Sequence, residues 1–99
     1  MSDIYQELEK NYIKIEKYFT EETLLEFLYT PKTALHKYNI GLGTTIRLKL
    51  LSPKSVLYKK FIKAGITDRE EMSLIILANF HKYIRKQFKQ QQNYYGNNQ

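Results

Sequence analysis

Apolar residues in the first third of the chain recur at steps of three and four, which is the spacing of one helical face. The first run of this kind consists of Ile4, Leu8, Tyr12, Ile15 and Phe19. Ser2 or Asp3 is a suitable N-cap for it. Thr20 can cap a second, shorter helix, which should end before Pro31 because the residue before a proline avoids the helical region. The pattern therefore predicts two helices before Pro31.

The segment Lys32–Leu51 supports two interpretations. At helical spacing, one face carries Leu35, Tyr38, Leu42, Ile46 and Leu50. At period two, the even-numbered residues from Ile40 to Leu50 are apolar or threonine, as in a half-buried strand. Gly41 and Gly43 each cost a helix interior about 1 kcal/mol relative to alanine, but the chain has no second alternating run with which a strand could pair. We therefore predict helix, with the glycines marking a close helix–helix contact or a local break.

Helix start and stop signals are clearer in the second half of the chain. Ser52-Pro53 is typical of a cap followed by proline at the first helical position, and Gly65 stands where a C-terminal glycine is expected. Thr67 and Glu70 have the spacing of a capping box for a long last helix. Its predicted core face consists of Met72, Ile75, Ile76, Phe80, Tyr83, Ile84 and Phe88. Residues 90–99, rich in Gln, Asn and Tyr, have little to bury, which predicts a flexible tail.

These elements predict an all-α fold, with residues 1–89 forming a single compact domain of four to five helices around a long C-terminal helix. A chain of 99 residues has too little interior to divide, and a hydrophobic share of 42% is sufficient for a packed core. Cysteine is absent, which excludes disulfides and thiolate metal sites. The sequence shows neither a long apolar run nor a charged-then-apolar leader, so we expect a cytoplasmic protein without a membrane partner.

Charge is segregated along the chain. Between Phe27 and Thr67 there is no acidic residue. This stretch contains eight basic ones, Lys32, Lys37, Arg47, Lys49, Lys54, Lys59, Lys60 and Lys63. The first 26 residues carry seven carboxylates against three lysines, and the whole chain has a formal net charge of +6. Segregation of this kind favours an anionic partner.

Gly41–Arg47 lies in the middle of this basic stretch and has features of a binding site. Small residues allow a backbone to approach a ligand, and threonine hydroxyls, helix-start amides and an arginine can bind phosphate. The segment lacks the ending of a Walker loop, and it lacks the third glycine of a dinucleotide-binding fingerprint. One interpretation is an anion site formed by Gly41, Gly43, Thr44, Thr45, Arg47 and Lys49. The other is a helix contact at the two glycines, with Arg47 paired to Asp68 or Glu71.

The stretch Ala34–Arg47, a basic spacer and then Ala64–Leu77 resemble a family of small bacterial and phage-type proteins known as a domain of unknown function. Its members typically carry His-Phe-Gly-Leu-Gly-x-x-Ile-Arg and later Asp-Asp/Glu-Met-Ser-x-Ile-Ile-Leu. The matching positions are Ile40, Gly41, Leu42, Gly43, Ile46 and Arg47, then Glu70, Glu71, Met72, Ser73, Ile75, Ile76 and Leu77. The chain departs at Thr44-Thr45 and Leu48-Lys49, where the family usually has aromatic and Asn-Asn residues. The resemblance implies a helical unit in which the Arg47 segment meets the last helix, and it implies no activity.

Residues suited to catalysis are few. His36 and His81 are the only histidines, neither has a metal-type partner four residues away, and we expect His81 on the solvated side of the last helix. Spacing assembles no activating triad around the hydroxyl groups. We therefore predict a non-enzyme that uses no cofactor or metal.

A basic surface is the remaining candidate for function. It is predicted to comprise Lys59, Lys60 and Lys63, together with Lys82, Arg85, Lys86 and Lys89. Thirteen lysines against three arginines favour contacts with phosphate rather than with base edges. We expect a binding protein for a phosphorylated or anionic partner, either a nucleotide-like ligand or the nucleic-acid backbone. The alternative is a protein-interaction module, such as a small phage or mobile-element inhibitor or adaptor, in which the first helix can also close a homodimer.

Overall fold

The computed structural model describes the backbone of residues 2–96 and the side chains of residues 3–90. Its elements are α1 (Ser2–Glu16), α2 (Glu21–Leu28), a 3₁₀ helix (Lys32–Asn39), α3 (Leu42–Leu50), α4 (Val56–Lys63) and α5 (Arg69–Gly96). Within this part of the chain all regular structure is helical, which confirms the predicted all-α class. The described residues form six helices rather than four to five, because the segment 32–51 forms two.

The break in this segment falls at Ile40-Gly41. Both residues keep right-handed helical backbone angles, so the 3₁₀ helix leads into α3 through one tight turn. The strand interpretation of this segment is wrong, and the predicted helix has a local break, one of the two roles predicted for the glycines. A 3₁₀ helix is typical of short connecting pieces, and here it brings Asn39 onto α5.

Helix α5 is the central element of the core. It packs against α1, α2, the 3₁₀ helix and α3, while α4 packs on α1. Met72, Ile76 and Phe80 are fully buried, as predicted. The buried surface is wider than predicted, because Ser73, Leu77 and His81 are also buried. Helix α5 therefore buries two adjacent stripes against helices on different sides.

Three helix ends follow their sequence signals. Thr20 caps α2, and its hydroxyl accepts a hydrogen bond from the Thr23 amide at 3.1 Å. Gly65 has a φ of 87°, the left-handed conformation that favours glycine after a helix. Pro31 stands at the start of the 3₁₀ helix with extended backbone angles.

Two predicted caps are wrong by one or a few residues. Ser55 rather than Ser52 caps α4, and its hydroxyl accepts from the Tyr58 amide at 3.1 Å. Asp68 rather than Thr67 caps α5, and its Oδ1 accepts from the Glu70 amide at 3.0 Å. A carboxylate at this position also interacts favourably with the helix dipole.

Asp68→Ala should lower the free energy of unfolding by about 0.5–2 kcal/mol, the usual cost of removing an N-cap side chain. Thr67→Ala is the matched control, since Thr67 is exposed and precedes the cap, and it should change stability by less than about 0.5 kcal/mol. Urea denaturation of both variants measures the difference. A larger loss in Thr67→Ala would place the cap at Thr67.

The C-terminal part of α5 enters the segment predicted as a tail. The helix continues to Gly96, so the backbone of residues 90–96 is helical, and residues 97–99 lie outside the described part of the chain. The flexibility of residues 90–99 stays a prediction. Among the described residues, no helix combines the length and apolar character needed to cross a membrane.

Candidate functional site

Arg47 is the centre of a hydrogen-bonded cluster that joins three helices. Its Nη1 donates to Asn39 Oδ1 at 3.1 Å and to Ser73 Oγ at 2.7 Å. Its Nη2 donates to the Asn39 carbonyl at 3.2 Å and to Thr44 Oγ1 at 3.0 Å. We call Asn39, Thr44, Arg47 and Ser73 the Arg47 cluster. The guanidinium thus directs four hydrogen bonds to groups of the protein itself.

Further hydrogen bonds fix this cluster to the start of α5. Ser73 Oγ lies 2.6 Å from Asn39 Oδ1 and 2.9 Å from the Glu70 carbonyl, either of which can accept its single hydrogen. Asn39 Nδ2 donates to the same carbonyl at 3.3 Å. Arg69 Nη2 donates to the Arg47 carbonyl at 2.8 Å. The Arg47 segment therefore meets the last helix, as the family resemblance implies.

Among the described side chains, Arg47 has no acidic partner. Both ion pairs formed by the described side chains involve Glu7, so the expected pairing of Arg47 with Asp68 or Glu71 is wrong. Neutral acceptors solvate the guanidinium instead. One of them is the carbonyl of Asn39, the last residue of the 3₁₀ helix.

The two glycines of the segment have different environments. A Cβ at Gly43 would lie 2.9 Å from Asn39 Cγ, closer still to the Asn39 amide oxygen, and 3.1 Å from Arg47 Nη1. A Cβ at Gly41 would meet nothing within 4 Å. Gly43 is therefore required for the close approach of Asn39 to α3, and Gly41 is not.

The threonines of the segment also bond inward. Thr44 Oγ1 donates to the Ile40 carbonyl, and Thr45 Oγ1 lies 3.5 Å from the Gly41 carbonyl. Because the chain enters α3 directly from a helical turn at Gly41, the start of α3 is not an open helix end. Lys49 is exposed. These contacts favour the packing interpretation, and an anion site at Gly41, Gly43, Thr44, Thr45, Arg47 and Lys49 stays a prediction.

Sequence reasoning missed Asn39 and Ser73 as members of this cluster. The available signal was spacing: Asn39, Gly43 and Arg47 follow one another at intervals of four, so they share one helical face. Ser73 is far from Arg47 along the chain, and only the fold shows that its hydroxyl meets Arg47.

The predicted basic surface separates into two groups. Lys59, Lys60 and Lys63 lie on α4, where Lys60 Nζ is 3.7 Å from Glu7 Oε1. Lys60 and Lys63 border a depression of about 210 Å³ together with Asp3. The acidic residues of α1 thus reduce the positive potential around the α4 lysines.

The second basic group lines a larger cleft of about 550 Å³ between the C-terminal half of α5 and the corner where α2 meets the 3₁₀ helix. We call it the basic cleft. Its described lining residues are Leu28, Tyr29, Lys32, His81, Lys82, Arg85, Lys86, Phe88 and Lys89. Five of them are basic and none is acidic. The apolar members include Tyr29 and Phe88, whose rings meet edge to face with centroids 6.0 Å apart.

His81 lines this cleft and is almost completely buried, so its predicted position on the solvated side of α5 is wrong. The His81 imidazole and the Phe27 ring pack edge to face, with centroids 5.2 Å apart. Its Nε2 is buried and has no hydrogen-bond partner in the described part of the chain. Such an atom is costly, because an unsatisfied buried polar group loses its hydration without compensation.

The charge state of His81 follows from this environment. Burial lowers its pKa, and the positive charges of Arg85 and Lys32 act in the same direction. Hydrogen bonding of the imidazole to the backbone of Thr30 and Leu28 raises the pKa but does not compensate. A pKa below the ordinary value of about 6.5 means that the imidazole is neutral at pH 7.

A signal for the burial of His81 was present in the sequence. Ser73, Leu77 and His81 follow at intervals of four and form a stripe beside the predicted core face. The apolar Leu77 in the middle of this stripe indicated a second packed surface. His36, by contrast, is exposed on the 3₁₀ helix. Among the described side chains, no three His, Asp or Glu residues lie close enough together to hold a metal ion.

The comparison with protein families extends the resemblance described above. The family described as a domain of unknown function, DUF6794, matches residues 6–84. The chain belongs to this family. The DUF6794 region includes the whole Arg47 cluster and one part of the basic cleft, with Leu28, Tyr29, Lys32, His81 and Lys82. No curated protein and no solved structure matches the chain.

Proposed function

We propose that this member of the DUF6794 family is a non-catalytic binding protein for a phosphorylated ligand and that the basic cleft is its binding site. The observation that carries the proposal is the lining of the cleft, with five basic and no acidic residues among those described. A concave site with charges of one sign and apolar walls focuses the electrostatic potential and attracts the opposite charge. Lysine and arginine are the usual partners of phosphate.

The size of the cleft supports a ligand of nucleotide dimensions. Its volume of about 550 Å³ lies within the range of roughly 300–1,000 Å³ typical of small-molecule sites. The cations are also available to a ligand, because Lys32, Lys82, Arg85, Lys86 and Lys89 form no ion pair with a described carboxylate. A nucleic-acid backbone would instead follow an extended basic surface, whereas the α4 lysines lie beside acidic residues.

A binding role without catalysis agrees with the environment of His81. None of the hydrogen bonds between the described side chains involves a histidine, so His81 is oriented by the backbone of Thr30 and Leu28 rather than by a carboxylate. A histidine that serves as a general base is oriented by a partner and lies within hydrogen-bond reach of the group that it deprotonates. His81 has a buried Nε2 without a partner, which suits a ligand contact better.

Two pairs of charge reversals test the proposal. Lys82→Glu with Lys86→Glu changes two cleft residues four positions apart on α5. Lys59→Glu with Lys63→Glu is the matched control, since it gives the same change in net charge at the same spacing on α4. Titration calorimetry with inorganic triphosphate should show a loss of affinity of at least about tenfold for the cleft pair, and less than about threefold for the control.

Two results would contradict this function. Equal losses in the two double variants would mean that net charge alone attracts the anion. The second result is weak binding of triphosphate together with binding of duplex DNA that falls steeply with salt. If both double variants weaken DNA binding equally, the nucleic-acid backbone is the partner.

The protein-interaction module remains a second candidate, and one observation favours it. Ile40 is 85% exposed and Leu48 is 73% exposed, with Thr44 between them on the same helical face. Large aliphatic side chains that share an exposed face are typical of protein contacts. Light scattering at increasing protein concentration distinguishes a homodimer from a module that requires another protein.

A further inference from the structure

The cleft has an apolar half as well as a basic half. Leu28, Tyr29 and Phe88 form apolar parts of its lining, while the cations come mainly from α5. Tyr29 is 67% exposed although it packs against Phe88. An exposed aromatic ring beside a row of cations offers a surface for stacking next to a site for phosphate.

His81 adds a polar group to the apolar half. It is 1% exposed, lines the same cleft, and has an Nε2 with no partner among the described residues. Phe27, which packs against the imidazole, offers no hydrogen bond. A hydrogen-bonding atom kept unsatisfied at this place points to a group that arrives with the ligand.

We propose that the ligand of the basic cleft is a nucleoside phosphate, whose heteroaromatic ring packs against Tyr29 and hydrogen-bonds to His81 while its phosphate contacts Lys82, Arg85, Lys86 and Lys89. This inference rests on the proposed function and adds the recognition of the ring. A phosphate alone leaves the apolar half of the cleft and His81 Nε2 without a partner. A nucleoside alone leaves the cations without one.

Neutrality of the imidazole suits this role. Burial and the charges of Arg85 and Lys32 keep the pKa of His81 low, so one ring nitrogen can donate and the other can accept at pH 7. The neutral imidazole can therefore hydrogen-bond the polar edge of a heteroaromatic ring through Nε2. The phosphate is left to the fully charged lysines and arginine.

The experiment compares three probes on the full chain by titration calorimetry. Adenosine 5′-monophosphate carries ring and phosphate, ribose 5-phosphate lacks the ring, and adenosine lacks the phosphate. The nucleotide should bind at least about tenfold more tightly than either of the other two. A short single-stranded oligonucleotide that binds far more tightly than the monophosphate would show that the nucleoside phosphate is recognised within a strand.

Two variants test whether the heteroaromatic ring of the nucleotide binds at Tyr29 and His81. Tyr29→Ala removes an exposed side chain and should leave the melting temperature nearly unchanged. His81→Phe retains an aromatic ring but removes the nitrogens, and it should fold because it also removes an unsatisfied polar atom. Each variant should lower the affinity for adenosine 5′-monophosphate by about tenfold and leave the affinity for ribose 5-phosphate unchanged. His81→Gln, which keeps a hydrogen-bonding group, should recover part of the affinity.

The possible failures are distinct. If adenosine monophosphate and ribose 5-phosphate bind equally and both depend on Lys82 and Lys86, recognition of the ring is wrong and the anion site stands. If neither these probes nor triphosphate depends on the cleft lysines, the proposed function is wrong as well. If Tyr29→Ala and His81→Phe weaken the binding of adenosine monophosphate and ribose 5-phosphate equally, Tyr29 and His81 do not recognise the ring.

Discussion

Gly43→Ala should lower the free energy of unfolding by about 2–4 kcal/mol, because the added methyl group collides with the Asn39 side chain. Asn39 cannot move aside freely, since its amide bonds Arg47, Ser73 and the Glu70 carbonyl. Displacing it loses several hydrogen bonds, of which those to the charged guanidinium contribute most. Urea denaturation with an unchanged m-value would measure the loss directly.

Gly41→Ala is the matched control for this variant. Gly41 has a φ of −88°, and open space surrounds the position of its missing Cβ. Alanine reduces the freedom of the unfolded chain, so stability should stay unchanged or rise by about 0.4–1 kcal/mol. Equal losses at both glycines would mean that general helix disruption, rather than the contact with Asn39, explains the first result.

Arg47→Met should lower the free energy of unfolding by about 2–3 kcal/mol. Methionine keeps most of the aliphatic stem but removes the four hydrogen bonds to Asn39, Thr44 and Ser73, which leaves partly buried acceptors unpaired. Arg47→Lys should cause a smaller loss, because an ammonium keeps the charge but cannot reproduce the planar fork. Thermal and urea unfolding of both variants measure the two losses of stability and show which is larger.

This pair also tests the anion interpretation of the glycine segment. If Arg47 binds phosphate, Arg47→Lys should keep its stability and weaken triphosphate binding. If Arg47 only joins helices, both variants should lose stability, and whatever remains folded should bind triphosphate with unchanged affinity. Full stability in Arg47→Met would contradict the structural role of the cluster.

The helices were largely predictable because their signals are local. The spacing of Met72, Ile76 and Phe80, the Thr20 cap and the glycine at position 65 each reflect a few neighbouring residues. The glycines indicated a close contact or a break in the segment 32–51, but which glycine has which role was not predictable, since Gly41 and Gly43 carry similar helix costs and only the approach of Asn39 distinguishes them. The sequence pattern therefore indicated where the helix is irregular, but it did not give the backbone conformation there.

The candidate site was less predictable than the fold because it depends on contacts between distant elements. The α5 cations of the basic cleft were recognised as a basic surface, but Tyr29 and Lys32 join them only through the corner between α2 and the 3₁₀ helix. His81 is buried because α2 places Phe27 against it. The stripe that His81 forms with Ser73 and Leu77 indicated a second packed surface on α5, but it did not indicate which element covers it.

Helix α5 has a consequence for cooperativity. Its 28 residues extend about 42 Å at 1.5 Å per residue, in a molecule whose longest dimension is 49 Å. Among the described side chains, Ile84 is the last buried residue of this helix. The packed part of the helix thus ends at the basic cleft, and beyond it we expect amide hydrogen exchange to proceed by local opening. A ligand that contacts Arg85 and Lys89 would bind a section that can fray independently, and occupancy of the cleft and order of the helix end would rise and fall together.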